Sequence, residues 1–400
     1  MANPPHLHLA VALEGAGWHP AAWRASDARP RDLFSPDYWV DLVQESEWGL
    51  LDFVTLEDSL APQSTRRGVI ERRTDRVRGR LDALLIAARV APTTSAIGIV
   101  PVVTTTHTEP FHVSKAVATL DYVSSGRAGL QARVSASELE ARQFGRRRIS
   151  NPLPNGARDS LDAGLVNDLF DEAADFVDVV RRLWDSWEDD AEIRDIATGR
   201  FIDRTKVHYI DFVGRYFSVK GPSITPRPPQ GQPLVSVLAH IPVAFRLAAR
   251  SADLVYITPE NTEAAGSIVA EIRAHEAAEG RRDPPLRIFA DIVVFLDEDT
   301  ATAHDRKQRF DDLDGEPLRS DALIFVGTPA DLAELMVAWQ AAGIDGFRLR
   351  PGAIPHDLEM ITHEVVGALQ DRSAFRHHYE DATLRARLGL ARPASRYALA

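Results

Sequence analysis

The chain has 400 residues, 44% of them hydrophobic, enough for one large domain or two ordinary ones. Its formal net charge of −12 excludes a general nucleic-acid binder, which would need a basic face. It has no cysteine, hence no disulfide framework or thiol chemistry, and neither a secretory leader pattern nor an apolar run near the ~20 residues of a membrane span, so a cytoplasmic protein is expected.

The predicted elements alternate along the chain. LHLAVAL (7–13) reads as a first buried strand. Ser35 is an N-cap with Pro36 at the first helical position, and the helix that follows carries Trp39, Leu42, Val43 and Trp48 on its apolar side. FVTLEDS (53–59) is a strand ending in acids; an arginine-rich loop (66–80) leads to the helix 81–91. AIGIVPVVTT (96–105) is a third strand, the helix 111–123 follows, and 128–135 is a fourth strand. Residues 136–168 read as an insertion, and 171–187 as a helix with Phe176, Val179, Val180 and Leu183 at helical spacing. A second insertion spans 188–233, with a hairpin turning at Val213-Gly214 and a proline-rich connector. Strands then recur at 234–240, 254–258, 287–296 and 346–351, with helices at 261–279 and 329–342. Residues 356–400 read as a helix near 357–371 and a tail wrapping the outside.

Apolar strand runs joined by helices predict parallel pairing, and eight of them predict an α/β fold of the (β/α)8 barrel type, a single domain with two insertions. No GxGxxG follows a strand, no Walker lysine motif occurs, and no GxSxG elbow or HExxH metal spacing is present. A Rossmann dehydrogenase, a hydrolase and a metal site are all disfavoured.

The segment TLDYVSSGRAGLQARVS (119–135) resembles the signature of the bacterial-luciferase-like flavin monooxygenases, in the branch of nitrilotriacetate and dibenzothiophene-sulfone monooxygenases, which writes it LDHLSGGRAGWN followed by VTS. Four further blocks, at 178–191, 208–222, 325–351 and 375–390, resemble the same branch in the same order. The resemblance implies a TIM-like barrel with flavin at the C-terminal strand ends, reduced FMN supplied by a separate flavin reductase, oxygen as co-substrate, a small organic substrate and a homo-oligomer. Residue by residue it implies that Asp58, Ser59, Thr104, Thr105, Gln131 and Ser135 hold the cofactor, with Gln131 in place of the usual asparagine and Leu130 in place of tryptophan. The family's phosphate turn, Gln-Ala-Gly-x-Ser-x-x-Gly, reads here Val237 to Ala244. Ile241 stands where serine would be, Pro242 has no backbone donor, and Phe170 replaces a tyrosine. FMN, the deazaflavin F420 used by a relative of the family, and a barrel without flavin that serves as a partner protein therefore all stay open.

His107, just past the third predicted strand, and His240, at the end of the fifth, are the candidate catalytic groups, because the C-terminal strand ends carry the chemistry of such barrels. Asp121 and Arg127 are expected to pin the helix-to-strand turn rather than touch ligand. The seven arginines of 66–80 either address an anionic substrate or partner, or pair with Glu71, Asp75 and neighbouring acids. Trp18 and His19 either line the substrate mouth or pack beneath a lid.

Overall fold

The computed structural model describes residues 6–64, 70–149 and 163–397. In chain order the elements are β1 (His8–Leu13), α1 (Pro36–Trp48), β2 (Phe53–Leu56), α2 (Ala83–Val90), β3 (Gly98–Thr104), α3 (Pro110–Val123), β4 (Gly129–Arg133), α4 (Glu138–Phe144) and α5 (Ala163–Asp185). The second insertion holds two small antiparallel pairs, β5 (Glu192–Asp195) with β6 (Arg200–Ile202) and β7 (Phe212–Val213) with β8 (Ser218–Val219). Then come β9 (Leu234–Leu238), α6 (Pro242–Ser251), β10 (Leu254–Ile257), α7 (Thr262–Ala278), β11 (Arg287–Leu296), α8 (Thr300–Asp314), β12 (Leu323–Gly327), α9 (Pro329–Ala341) and β13 (Gly346–Pro351). The C-terminal part carries α10 (His356–Glu359), a π-helical turn (Met360–Val365), α11 (Val366–Asp371) and α12 (Leu384–Arg387).

Eight parallel strands close a barrel in the order β1-β2-β3-β4-β9-β10-β11-β13, with β13 returning to β1. These are the eight strands predicted from the sequence. β12 is an addition the alternation did not predict. Ten-residue β11 pairs with β10 along Arg287–Ala290 and with β12 along Ile292–Leu296, so one strand serves two neighbours on the same edge. The helices α6 and α8 were likewise not predicted; α8 is strongly polar, with only Ala303 and Phe310 as buried apolar residues, which hides its period.

Side chains alternate between barrel interior and helix layer. The lower interior is a cluster of Ala10, Phe53, Val100, Leu234, Leu254, Tyr256 and Phe289, closed from below by Leu384, Leu388 and Leu390 of the tail. The helices pack the opposite strand faces in one large apolar cluster. Ser35 caps α1 as its sequence predicts, accepting from the Asp37 N–H, and Trp39, Leu42 and Val43 are buried. Trp48 is a correction: it is 61% exposed and lies against the His363 ring instead of the core.

The first predicted insertion contains α4, and α5 starts at Ala163, inside that stretch and earlier than predicted; residues 150–162 lie outside the described residues. The predicted hairpin at Val213-Gly214 is present, its turn closed by the Gly214 N–H donating to Phe217 O at 3.0 Å. Arginines fasten the tail to the N-terminal strand ends: Arg376 pairs with buried Asp52, Arg387 donates to the carbonyls of Asp52 and Ala96, and Arg385 pairs with Asp253. Burial would raise the Asp52 carboxyl, but Arg376 and His8 hold it well below the usual range.

Candidate active site

Above the apolar floor the barrel interior turns polar. Asp291 of β11 receives two guanidinium groups from β13: Arg348 Nε at 2.8 Å and Arg350 Nε at 3.0 Å. Both arginines and Asp291 are at most 1% exposed. Arg348 Nη1 also donates to Gln131 Oε1 of β4 at 2.6 Å, and its guanidinium lies 3.8 Å from the centre of the Tyr256 ring. Arg350 extends the network upward to Asp321 at 2.7 Å, under the Trp18 ring. Buried charges persist only when paired and hydrogen-bonded, and here each side chain has several partners. Burial works against the Arg348 charge, but Asp291 and Glu57 hold its proton above the ordinary arginine value.

The rim at the ends of β2, β3 and β4 forms a second network. Arg133 donates to Thr104 Oγ1 at 2.7 Å and pairs with Glu140 of α4 at 2.8 Å; Ser59 Oγ donates to Glu140 at 2.8 Å. Burial raises the Glu140 pKa, but Arg133 and the hydroxyls of Ser135 and Ser59 outweigh it and bring it down to about 2. Thr105 Oγ1 donates to the Arg133 carbonyl, and the Ser135 N–H donates to Thr106 Oγ1. Asp58 spends both carboxylate oxygens on backbone, accepting from Ser59 N at 2.6 Å and from Ala83 N at the start of α2 at 3.1 Å. Its pKa is raised by burial, against those bonds. Glu14, just past β1, pairs with Arg80 at 2.7 Å, yet burial, with Glu57 adding, pushes its pKa up to about 7.

The candidate histidines have different surroundings. His240 has both ring nitrogens engaged, Nδ1 with Thr258 Oγ1 at 2.9 Å and Nε2 with Asp321 at 3.2 Å. His107 is 5% exposed, stacks on Phe144 with ring centroids 5.3 Å apart, and its buried Nε2 has no hydrogen-bond partner among the described residues. Burial, then Arg147, lowers its pKa. Ser59, Thr104, Thr105, Gln131 and Ser135 thus gather on one side of the barrel with Asp58 behind them at α2, while His240, at the end of the neighbouring strand β9, turns to Asp321. At the altered turn, Ile241 is the N-cap of α6, 44% exposed and without a side-chain cap bond, followed by Pro242.

Asp121 and Arg127 do not pair with each other. Asp121 accepts from the Ala128 and Gln230 N–H groups; Arg127 donates to the carbonyls of Ala91, Thr94, Ile97 and Ser124. Between them Ser125 and Gly126 have φ of 56° and 85°, and a Cβ on Gly126 would come within 2.9 Å of Thr383. The described arginines of the 66–80 loop that form ion pairs meet acids of the protein: Arg76 with Glu71, Asp314 and Glu316, Arg73 with Asp75, Arg78 with Glu71, Arg80 with Glu14; Arg66 and Arg67 lie outside the described residues. His19 is buried against Asp311.

Sequence reading overlooked Arg133, Glu140, Asp291, Asp321, Arg348 and Arg350. For two of them a signal existed: in GFRLRP, period-two alternation puts Arg348 and Arg350 on one face of a strand whose every residue is buried. Among the described residues no cluster of His, Asp or Glu is arranged to hold a metal, and no helix is long and apolar enough to cross a membrane.

Comparison with known proteins places this architecture. The chain is 30% identical to N-acetyl-S-(2-succino)cysteine monooxygenase of Bacillus subtilis (strain 168), over 98% of each chain. It is 28% identical to nitrilotriacetate monooxygenase component A of Aminobacter aminovorans, over 97% of each. Among solved structures, long-chain alkane monooxygenase (LadA) superposes with a TM-score of 0.82 at 23% identity, covering 96% of each chain, and riboflavin lyase (RcaE) with 0.84 at 23%, covering 98% of each; these likenesses concern the fold. The model of the luciferase-like monooxygenases matches residues 16–311. With that match covering the rim network and six of the eight barrel strands, the chain belongs to the luciferase-like monooxygenase family and is an enzyme, a monooxygenase.

Proposed function

We propose that this monooxygenase is the oxygenase component of a two-component cytoplasmic system: it takes FMN reduced by a separate flavin reductase and uses O2 to oxidise a small organic substrate. The observation that carries the reading is the rim of hydroxyls and one ion pair at the ends of β2, β3 and β4, Ser59, Thr104, Thr105, Ser135, Arg133 and Glu140, set over a fully buried barrel interior. A reduced flavin, when bound, supplies the activation of oxygen. The chain's own groups do the rest. Ser59, Thr104, Thr105 and Arg133 fit the heteroatom edge of an isoalloxazine, and Ser135 buttresses that wall. Gln131 supports it from below, its amide fixed by Arg348. Asp58 holds the start of α2 behind the wall. Val100, Leu234 and Tyr256 of the apolar floor lie beneath it and exclude water from below. His107, with its free nitrogen, suits contact with ligand better than His240, whose two nitrogens are already bonded. The turn after β9 fits a phosphate poorly, since Ile241 offers no donor and Pro242 no N–H.

The relation to a protein named "component A" supports the two-component reading. Anaerobic titration with reduced FMN tests it, followed by admission of oxygen. Saturable binding, with substrate-dependent oxygen use, is the expected result. Binding of neither reduced nor oxidised FMN would sink it; binding of F420 alone would replace oxygen chemistry by hydride transfer.

A further inference from the structure

Beside the rim lies a cavity of about 490 Å³, lined among others by Thr106, His107, Phe144, Arg148, Leu169 and Tyr216. It adjoins the rim directly, because Thr104 and Thr105 belong to the rim and Thr106 and His107 to the cavity. Two of its groups have no internal partner among the described residues. One is His107 Nε2, buried and without a hydrogen bond. Leaving such a group buried and unsatisfied is costly, so it is set up for something that enters. The other is Arg148, exposed and outside every ion pair of the described residues.

The surrounding charges are already matched. Glu109 pairs with Arg146, Glu172 with Arg147, and Asp168 with Arg215. Each acid among the described residues of the cavity wall is therefore neutralised, and among them Arg148 is the surplus cation. The Phe144 ring lies nearly parallel to the imidazole, at 11°, and fixes its plane. A ring N–H donor, a guanidinium in excess and a boundary shared with the rim suit an oxyanion on a tail that leads away from the rim. The start of α6, with Ile241 and Pro242, offers that oxyanion nothing comparable.

We propose that this cavity is an oxyanion site and that its occupant is the phosphomonoester end of the flavin, held by His107 Nε2 and Arg148. The inference rests on the flavin reading given above. The same donors would take the carboxylate or sulfonate of an anionic substrate, and the experiment separates the two sources. Dissociation constants for FMN and for riboflavin, which lacks the phosphate, are measured on the full chain by flavin fluorescence. Wild type should prefer FMN by roughly tenfold or more, the scale of a charge-assisted hydrogen bond. Arg148→Ala, at an exposed position that leaves folding undisturbed, should remove most of that preference and leave riboflavin affinity unchanged; His107→Asn should reduce it as well. An FMN-to-riboflavin ratio unaltered in both variants overturns the proposal. Equal binding of both flavins by wild type, with an Arg148-dependent rise in Tm on adding inorganic phosphate, overturns the flavin assignment and leaves an oxyanion site for substrate. If wild type binds neither flavin, the functional reading itself fails, and the phosphate-dependent Tm alone decides the cavity: no rise means no oxyanion site.

Discussion

Arg348 of β13 reaches across the barrel interior to Gln131 of β4, donating to its amide oxygen at 2.6 Å. The two strands stand on opposite sides of the ring of eight. One side chain thus joins the rim wall to Asp291 and, through it, to Arg350, Asp321 and His240.

Asp291 is the anion on which both buried arginines depend. Asp291→Ala should cost roughly 3–5 kcal/mol, the scale of breaking a buried charge network by removing one partner. Urea denaturation measures this directly. Replacing Asp291, Arg348 and Arg350 together by apolar residues of similar volume should recover much of the loss. A single substitution that leaves the midpoint unmoved would show that water enters the barrel and solvates the arginines.

Glu14 makes stability depend on pH in an uncommon direction for a carboxylate. Burial, with Glu57 nearby and Arg80 opposing, raises its pKa to about 7 against 4.5 in the unfolded chain. The folded state then binds the proton more tightly than the unfolded one. The stabilisation is complete below pH 4.5 and is lost as pH rises through 7. Asp121, raised by burial to about 6, adds to the same trend. Glu14→Gln should flatten the decline of stability between these limits, by an amount on the order of 1 kcal/mol after allowance for its partial exposure, read out as Tm against pH. Parallel Tm profiles for the two proteins would contradict this.

Glu140 behaves oppositely. Arg133 and the neighbouring hydroxyls outweigh burial and hold its pKa at about 2, against 4.5 when unfolded. Its contribution is present above 4.5 and disappears as pH falls toward 2. Arg133→Met leaves the carboxylate without its cation and should cost about 2–3 kcal/mol, below the full buried-pair value because Arg133 is partly exposed. Reduced-FMN affinity should fall with it, and Arg133→Lys should restore stability better than binding, since lysine lacks the planar fork. Chemical denaturation and flavin titration of both variants check the two halves.

The start of α6 is open to improvement. Ile241 sits at the N-cap without a side-chain bond and is 44% exposed. Ile241→Ser should add about 1 kcal/mol of stability by capping a free N–H. It should also place a hydroxyl where an anion approaching α6 would meet it. If His107 and Arg148 already hold the phosphate, FMN affinity should rise little; a large rise would locate the phosphate at α6. Melting curves and FMN titration together give the answer.

The barrel was legible because each of its eight strands is an apolar run bounded by turn residues, and such runs keep their character whatever lies next to them. β12 was not, because its residues are only half-buried apart from Gly327, and its position is set by the free upper half of β11. The helix cap at Ser35 and the turn at Ser125-Gly126 are local hydrogen-bond and backbone problems, so a few neighbouring residues suffice to announce them. Trp48 shows the limit of periodicity, which places a residue at the edge of an apolar stripe but not the neighbour that covers it.

By itself the sequence determined the eight barrel strands, the family signature, and which polar residues end those strands. Only the tertiary structure decided how those residues are used. Asp58 accepts from the first N–H of α2, Gln131 is engaged by an arginine 217 positions away, Asp291 balances two cations, and His107 is left with a free nitrogen at a cavity wall. The reason is physical: strand propensity and capping act over a few bonds, whereas charge pairing in a low-dielectric interior depends on distances that exist only once the barrel has closed.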